Sequence, residues 1–172
     1  MGCRFFIGGI MDILRKLFAM SVVLSTSIVG IQTTAAAEIR TLQPATVAAP
    51  FRNRYSHGKV IPDGAEWLIT AGQTGSDADG NIGNGIEEQA DLAMRNLFEI
   101  VRAAGMSSDD IVKMTIYFLD PAYLATIVAA RNRYFGEDFA PASTAIGVSA
   151  LARPEFLVEV ELIAARVSAD DD

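Results

Sequence analysis

The sequence contains very little of what cysteine- and histidine-based chemistry requires. Its 172 residues include one cysteine and one histidine, which are Cys3 and His57. A single cysteine cannot form an intrachain disulfide, and a zinc site needs several ligands that these two residue types usually supply. We therefore exclude a disulfide framework, a zinc cluster and a catalytic pair of cysteine and histidine.

Positive charge is also scarce, and it is unevenly distributed. The chain has 14 lysine and arginine residues against 21 aspartate and glutamate residues, a net charge of −7. Three basic residues and one acidic residue give residues 1–37 a net charge of +2, which leaves −9 for the rest. Such an acidic body repels phosphate backbones and anionic lipid. We expect no nucleic-acid partner.

The first 37 residues are typical of an N-terminal extension followed by an export signal. Arg15 and Lys16 follow Met11, residues 17–31 are apolar and uncharged, and residues 32–37 are mostly small. This order predicts a signal peptide that starts at Met11 and is cleaved before Glu38. The apolar run of about 15 residues is short for a bilayer span, and an uncleaved signal anchor is the alternative. We expect a periplasmic or secreted protein that is free of the membrane after cleavage, with one domain over residues 38–172.

The apolar pattern of residues 38–172 predicts an α+β domain. Alternation and turn residues predict strands at residues 55–60, 66–72, 111–119, 143–148 and 156–166, and a short extended piece at 39–42. Helices are predicted at residues 86–104 and 121–135; the apolar stripe of the first comprises Ile86, Ala90, Ala93, Leu97, Ile100 and Ala104. This order of elements favours a mixed sheet with both helices on one face.

One face of the predicted sheet is left without helices. The last strand places Leu157, Glu159, Glu161 and Ile163 on that face, and the strand at 111–119 places Lys113, Thr115 and Tyr117 on its polar side. The surface of the last strand is too apolar to be exposed fully to water. Burial against further copies of the chain in closed cyclic symmetry would cover it. We therefore expect a homo-oligomer.

Four segments, taken in order, form a recognisable pattern. They are Arg54-Tyr55-Ser56-His57-Gly58, then Ala71-Gly72-Gln73-Thr74-Gly75, then Asn96-Leu97 with Ala103-Ala104-Gly105-Met106, and finally Pro141-Ala142-Ser143-Thr144 through to Leu157-Val158-Glu159-Val160-Glu161. Together they resemble the RidA family, also called YjgF/YER057c/UK114. The resemblance runs from about residue 50 to residue 166.

This resemblance implies a fold, an assembly and an activity. The fold is a chorismate-mutase-like α+β structure, a mixed sheet with two helices on one face, which assembles as a trimeric barrel with small-molecule clefts between subunits. The best-known members hydrolyse reactive 2-enamine and 2-imine acids to 2-keto acids and ammonia without a metal or cofactor. We therefore expect a homotrimer that binds a small molecule and needs no metal and no cofactor. Some relatives are described as ribonucleases, a function that the net charge of −9 disfavours.

The resemblance also assigns roles to two residues, and the position of a third on the same strand adds a candidate. Glu159 matches the carboxylate that positions the hydrolytic water, so it is the predicted catalytic residue. Tyr55 matches the tyrosine that closes over the ligand. His57 lies two residues further on and would share its side of a strand, where it can donate to an anionic ligand or act as a base. The alternatives are structural: an inter-subunit bond for Glu159, an interface aromatic for Tyr55 and a surface histidine for His57.

The family pattern is broken where it would bind the substrate carboxylate. Deaminating members have an arginine after Pro-Ala, and its guanidinium pairs with the carboxylate through two hydrogen bonds. This chain has Ser143 there, a loss on the order of 2–4 kcal/mol of substrate binding. Ala145 replaces a cysteine that acts through its backbone carbonyl, and Ala71 replaces a serine.

These departures lead to the predicted function. We expect an enamine/imine deaminase-type hydrolase whose substrate is not a simple 2-imino acid, with Ser143, Thr144 and Ala145 lining the site. Arg153, in the turn before the last strand, is a candidate replacement cation; Arg52 and Arg54 are further candidates, and solvated loop arginines are the alternative. The same departures leave a second function open, a non-catalytic trimer that binds small molecules or acts as a holdase.

Overall fold

The computed structural model describes residues 38–167. The predicted signal segment and its start at Met11 lie outside the described residues, as do residues 168–172. Within 38–167, neither helix combines the length and apolar character that crossing a bilayer would need.

Residues 38–167 form seven strands and two α-helices. In chain order they are β1 (Arg40–Leu42), β2 (Gly58–Val60), β3 (Glu66–Ile69), β4 (Gln73–Thr74), α1 (Gly85–Ala103), β5 (Ile111–Phe118), α2 (Leu124–Phe135), β6 (Ala142–Gly147) and β7 (Val158–Arg166). Short 3-10 helices cover Phe51–Asn53, Ser108–Asp110 and Pro121–Tyr123.

Five of these strands form a mixed sheet around β7. This strand pairs antiparallel with β3 and β4 on one side and with β5 on the other, and β5 pairs parallel with β6. Strands β1 and β2 form a separate antiparallel pair. Both helices share one hydrophobic core with the sheet, to which the inward residues of β5 and β7 contribute Met114, Ile116, Val158, Val160 and Leu162. The predicted α+β fold with two helices and a mixed sheet is confirmed.

The prediction of an uncovered sheet face is also confirmed. Val158, Val160 and Leu162 are buried, whereas Glu159, Glu161 and Ile163, which alternate with them, remain half-buried. By register, Lys113, Thr115 and Tyr117 of β5 lie on the same side as these β7 residues. We call this side of the sheet the open face.

The predicted helix stripe is only partly right. Ala90, Ala93 and Leu97 are buried as expected, but Ile100 is half-buried and Val101 takes its place in the core. A step of four from Leu97 to Val101 keeps the stripe on the sheet, because 3.6 residues make one helical turn.

Two predicted strands are shorter or interrupted. Residues 55–57 precede β2, and Ser56 makes a single parallel bridge with Ala142 at the start of β6. The strand expected at 66–72 breaks after Ile69, and its pairing with β7 resumes at Gln73 with the register moved by one residue. Such an extra residue is a β-bulge, a feature that bends a strand and redirects side chains.

Candidate functional site

Glu159 lies on the open face beside the bulge between β3 and β4. It pairs with Thr74 of β4 and with Tyr117 of β5. Its side chain passes over Gly72: a Cβ built on that glycine would lie 2.7 Å from Glu159 Cδ and 2.9 Å from Cγ. Only glycine leaves this space, so the bulge and Gly72 together set where the carboxylate lies.

Tyr117 and Glu161 complete this end of the open face. The Tyr117 hydroxyl donates to Glu161 Oε1 over 3.3 Å. Burial raises the pKa of Tyr117, and the negative charge of Glu161, its hydrogen bond to the phenol and the charge of Glu159 raise it further. The phenol therefore keeps its proton, which it donates to Glu161.

The three predicted residues of β6 are divided between the two faces of the sheet. Thr144 is in register with Thr115 and lies on the open face, where its hydroxyl accepts a hydrogen bond from the Lys113 ammonium. Ser143 and Ala145 are in register with Met114 and Ile116, so they lie on the other side of this edge strand. The Ser143 hydroxyl donates to the Pro141 carbonyl over 3.3 Å.

Tyr55 and His57 lie before β2, next to the start of β6. Their rings meet edge to face with centroids 6.0 Å apart, and the Ser56 N–H between them donates to the Pro141 carbonyl over 3.0 Å. Tyr55 and Ser56 line an open groove of about 640 Å³. His57 lines a second groove of about 540 Å³ against the segment that precedes Phe51, and its Nε2 is buried without a hydrogen-bond partner among residues 38–167.

Two of the three candidate replacement cations, Arg153 and Arg52, contact other side chains within the chain. The Arg153 guanidinium lies 3.5 Å from Glu155 Oε2 and stacks 5.4 Å from the Phe156 ring centre. Arg52 stacks over Phe51 at 5.1 Å, and the Arg54 carbonyl accepts from Arg131. Across the described residues, no hydrogen bond or ion pair joins Arg52, Arg54 or Arg153 to Ser143.

One residue that the sequence analysis missed fixes the start of β7. Gln89 of α1 is buried, and its amide donates to the Gly83 carbonyl over 3.1 Å and to the Glu155 carbonyl over 2.9 Å. Its oxygen accepts from the Leu157 N–H over 2.8 Å. Gln89 thus connects the loop before β7 to α1 and fixes where β7, the strand that carries Glu159, begins. The available signal in the sequence was a polar residue three positions after Ile86, on the apolar side of α1.

The predicted site residues therefore lie in separate places within one chain. Glu159 and Thr144 share the open face; Ser143 and Ala145 lie across the sheet edge; and Tyr55 and His57 lie beside the first residues of β6. The structure adds Tyr117 and Glu161 on the side of Glu159. The alternation of β7 had placed Glu161 there, whereas that of β5 had only separated Tyr117 from the apolar side of its own strand. Within residues 38–167, no group of three or more histidine, cysteine, aspartate or glutamate residues is arranged to hold a metal ion.

Comparison with known proteins identifies one matching family and several similar proteins. The family described as Endoribonuclease L-PSP matches residues 46–166. The RutC family protein YjgH of Escherichia coli is 35% identical over 94 residues, 54% of this chain and 72% of that relative. The 2-iminobutanoate/2-iminopropanoate deaminase of Salmonella typhimurium is 34% identical over 102 residues, 58% of this chain and 79% of that enzyme.

Solved structures of related proteins also resemble this chain. YyfB of Yersinia pestis, described as a protein of unknown function of the conserved Rid family, has a TM-score of 0.67 at 32% identity and covers 74% of this chain and 98% of its own. TdcF of E. coli with bound serine has a TM-score of 0.55 at 31% identity, with 70% and 91% covered. Because the family match spans the sheet, both helices and the four sequence segments, the chain belongs to the RidA (YjgF/YER057c/UK114) family.

Proposed function

We propose that this protein is an enamine/imine deaminase-type hydrolase in which Glu159 is the catalytic base. The observation that carries the proposal is the position of Glu159: its carboxylate lies over Gly72 on the open face, and within residues 38–167 it has no hydrogen-bond or ion-pair partner. A carboxylate that is held in place yet free of partners can accept a proton from water. A relative named as a 2-iminobutanoate/2-iminopropanoate deaminase supports the reaction class.

The proposed reaction consumes one water molecule for each C–N bond. An enamine is first protonated at carbon to give the iminium. Water then adds to the iminium carbon while Glu159 takes one of its protons, which gives a carbinolamine. Transfer of the proton from Glu159 to nitrogen makes the nitrogen a leaving group. The C–N bond then breaks with the electron pair going to nitrogen, the hydroxyl loses its proton to water, and the products are ammonia and a carbonyl compound.

Substrate choice is the second part of the proposal. Ser143 stands where deaminating members have an arginine, so a 2-imino acid loses about 2–4 kcal/mol of binding, or roughly thirty- to a thousandfold. The proposed substrate is therefore an imine or enamine other than a simple 2-imino acid. The alternative, a non-catalytic binding or holdase protein, is favoured by the same loss of the arginine together with Ala71.

The proposal places the site between copies of the chain in a homotrimer. Apolar side chains are exposed at the edges of the open face, with Trp67 52% and Ile69 73% exposed on β3 and Ile146 38% exposed on β6. A further copy would bury them. A cleft between copies would also bring Glu159 of one chain to Ser143 of the next, residues that lie on opposite faces within one chain.

The test compares two substitutions that remove the same charge. Glu159→Gln should abolish ammonia release from imines generated in situ and leave the oligomeric state unchanged, because the amide keeps the shape but cannot take a proton. Glu99→Gln, on the exposed side of α1, should retain full turnover. If the unmodified protein binds amines yet releases no ammonia above the spontaneous rate, the non-catalytic alternative replaces the deaminase.

We propose that the protein is exported, and this proposal rests only on the order of charged, apolar and small residues in residues 1–37. Expression of the full chain in a bacterium should yield protein in the periplasmic or culture fraction with Glu38 as its first residue. An N-terminus at Met11 in the membrane fraction would instead identify a signal anchor.

A further inference from the structure

Arg131 of α2 is a buried cation without an acidic partner. It is 3% exposed and is the one charged residue among the buried residues of the described chain. No aspartate or glutamate of residues 38–167 forms an ion pair with it. Burial lowers the pKa of Arg131, and the positive charge of Arg54 lowers it further. Because a buried charge without a counter-ion is costly, the groups that its guanidinium contacts are informative.

Neutral groups surround the guanidinium. Nε and Nη2 of Arg131 donate to Asn132 Oδ1 over 3.1 Å and 2.9 Å, and Nη1 donates to the Arg54 carbonyl over 3.2 Å. The guanidinium carbon also lies 5.5 Å from the centre of the Phe139 ring, a cation–π contact. Asn132 is the next residue along α2, so it orients the guanidinium, and the Arg54 carbonyl is the hydrogen-bond acceptor that belongs to a distant segment.

That distant segment is a turn with an unfavourable backbone conformation. Arg52 and Asn53 both lie in the left-handed region, with φ of 53° and 54°. Residues other than glycine rarely adopt this conformation, because their Cβ approaches the backbone too closely. Arg54 follows this pair and precedes Tyr55. The hydrogen bond from Arg131 therefore stabilises the chain at the point where the turn leads into Tyr55.

Tyr55 lies between two hydrogen-bonded backbone positions. On its N-terminal side the Arg54 carbonyl accepts from Arg131. On its C-terminal side the Ser56 N–H donates to the Pro141 carbonyl over 3.0 Å. Tyr55 itself is half-buried and lines the groove of about 640 Å³. The direction of its side chain therefore depends on α2 on one side and on the start of β6 on the other.

We propose that Arg131 is the positioning residue for Tyr55: its guanidinium holds the Arg54 carbonyl and so sets where the phenol lies over a ligand. This inference rests on the proposed hydrolase function and on the role that the family resemblance gives to Tyr55. Arg131 itself lies outside the four segments that carry the resemblance. An apolar side chain could fill the same space, but only a planar fork of N–H donors can bond Asn132 and the Arg54 carbonyl at once. The competing explanation is that Arg131 only packs α2 against its neighbours.

Histidine NMR tests the position of Tyr55 without any substrate. His57 is the only histidine of the chain, so protein labelled with ¹³C at histidine and produced without a histidine tag gives one imidazole signal. The Tyr55 ring, whose centroid lies 6.0 Å from that of His57, contributes to the position of this signal. Tyr55→Leu gives the reference position without the ring. At a fixed pH, Arg131→Met should move the signal toward that reference, and in a Tyr55→Leu background it should move the signal little further.

Two further variants separate the hydrogen-bonding fork from the charge. Arg133→Met removes the same charge two positions away, on the exposed side of α2, and should leave the signal in place. Arg131→Lys keeps the charge but replaces the fork with one ammonium, so it should move the signal in the same direction as Arg131→Met and less far. If neither Arg131 variant moves the signal, or if Arg133→Met moves it as far, the proposal is overturned. Should Arg131→Met fail to fold, Arg131→Lys decides by the same criterion.

Kinetics connect the position of Tyr55 to the ligand. With imines generated in situ, Arg131→Met should raise KM about tenfold and change kcat less than about twofold, because Tyr55 closes over the ligand while Glu159 takes the proton. Loss of unfolding free energy alone, with the signal and KM unchanged, would show that Arg131 is only structural. A moved signal with an unchanged KM would refute the connection to the ligand. If the unmodified protein hydrolyses no imine, the deaminase proposal fails, and the histidine signal still decides whether Arg131 positions Tyr55.

Discussion

Replacing Gly72 with alanine tests whether the space beneath Glu159 sets the position of the carboxylate. The added methyl would lie 2.7 Å from Glu159 Cδ and 2.9 Å from Cγ, well inside the usual contact of about 3.5–4.0 Å between carbon atoms. The backbone does not oppose the change, because Gly72 is not among the glycines with positive φ. The side chain of Glu159 therefore has to move.

The size of the effect follows from that overlap. Forcing an extra methyl into a filled space costs about 1–3 kcal/mol, and a displacement of about 1 Å in a reacting group lowers the rate about 100-fold. We expect Gly72→Ala to lower kcat/KM for imine hydrolysis about 100-fold and the free energy of unfolding by about 1–3 kcal/mol. Ammonia release and urea unfolding measure the two quantities separately.

A matched substitution and a double-mutant cycle identify the cause. Gly58→Ala also adds a methyl in a strand, but its nearest neighbours are Leu42 Cβ and Cδ1 at 3.8 Å, an ordinary contact, so activity should be retained. In a Glu159→Ala background, Gly72→Ala should cost less than about 0.5 kcal/mol, because the overlapping atoms are gone. If the substitution costs the same in both backgrounds, or leaves kcat/KM unchanged, Gly72 does not position the carboxylate.

Three further predictions concern stability and assembly. Gln89→Leu leaves buried partners unpaired and should lower the free energy of unfolding by about 2–4 kcal/mol in urea titrations. Burial raises the pKa of Asp91, but hydrogen bonds from Arg133 and Tyr134 outweigh it and hold the pKa below its usual value. Its contribution is therefore complete above the unfolded-state pKa and lost as pH falls through the folded one, so Asp91→Asn should lower Tm near about pH 7 and hardly at about pH 2; an equal drop at both would contradict this. Ile69→Lys should dissociate the proposed trimer in sedimentation experiments without changing the circular dichroism, and an unchanged mass would argue against the open face as the interface.

The helices and strands could be predicted because the spacing of apolar residues within each one reflects which side chains are buried. Alternation in β7 separated Val158 and Val160 from Glu159 and Glu161, and the structure places them as expected. The 3.6-residue stripe of α1 was predicted with Ile100 in place of Val101. A side chain at the margin of a stripe can turn either way, and packing against the sheet decides which residue is buried.

The site could be predicted less well, because its geometry depends on pairing between distant segments. A one-residue register shift between β3 and β4 places Gly72 beneath Glu159, and the alternation within either segment contains no sign of it. Gln89 was not singled out by the apolar stripe of α1, although its three hydrogen bonds organise the start of β7. Both features arise from contacts that form only once the sheet and helix meet.

The residues that hold the carboxylate and the residue that would select its ligand belong to different parts of the fold. Glu159 is fixed by the central strand, by the gap at Gly72 and by Gln89, and a change at any of these disturbs the core or the sheet. Ser143 lies on the edge strand β6, half-exposed, with a hydroxyl bonded only to a nearby carbonyl. Substitution at that edge leaves the core packing intact, so the family fold can keep its acid in place while the ligand changes. Membership of the family therefore predicts where the acid lies, and the edge strand β6 is where the contacts to a ligand can change.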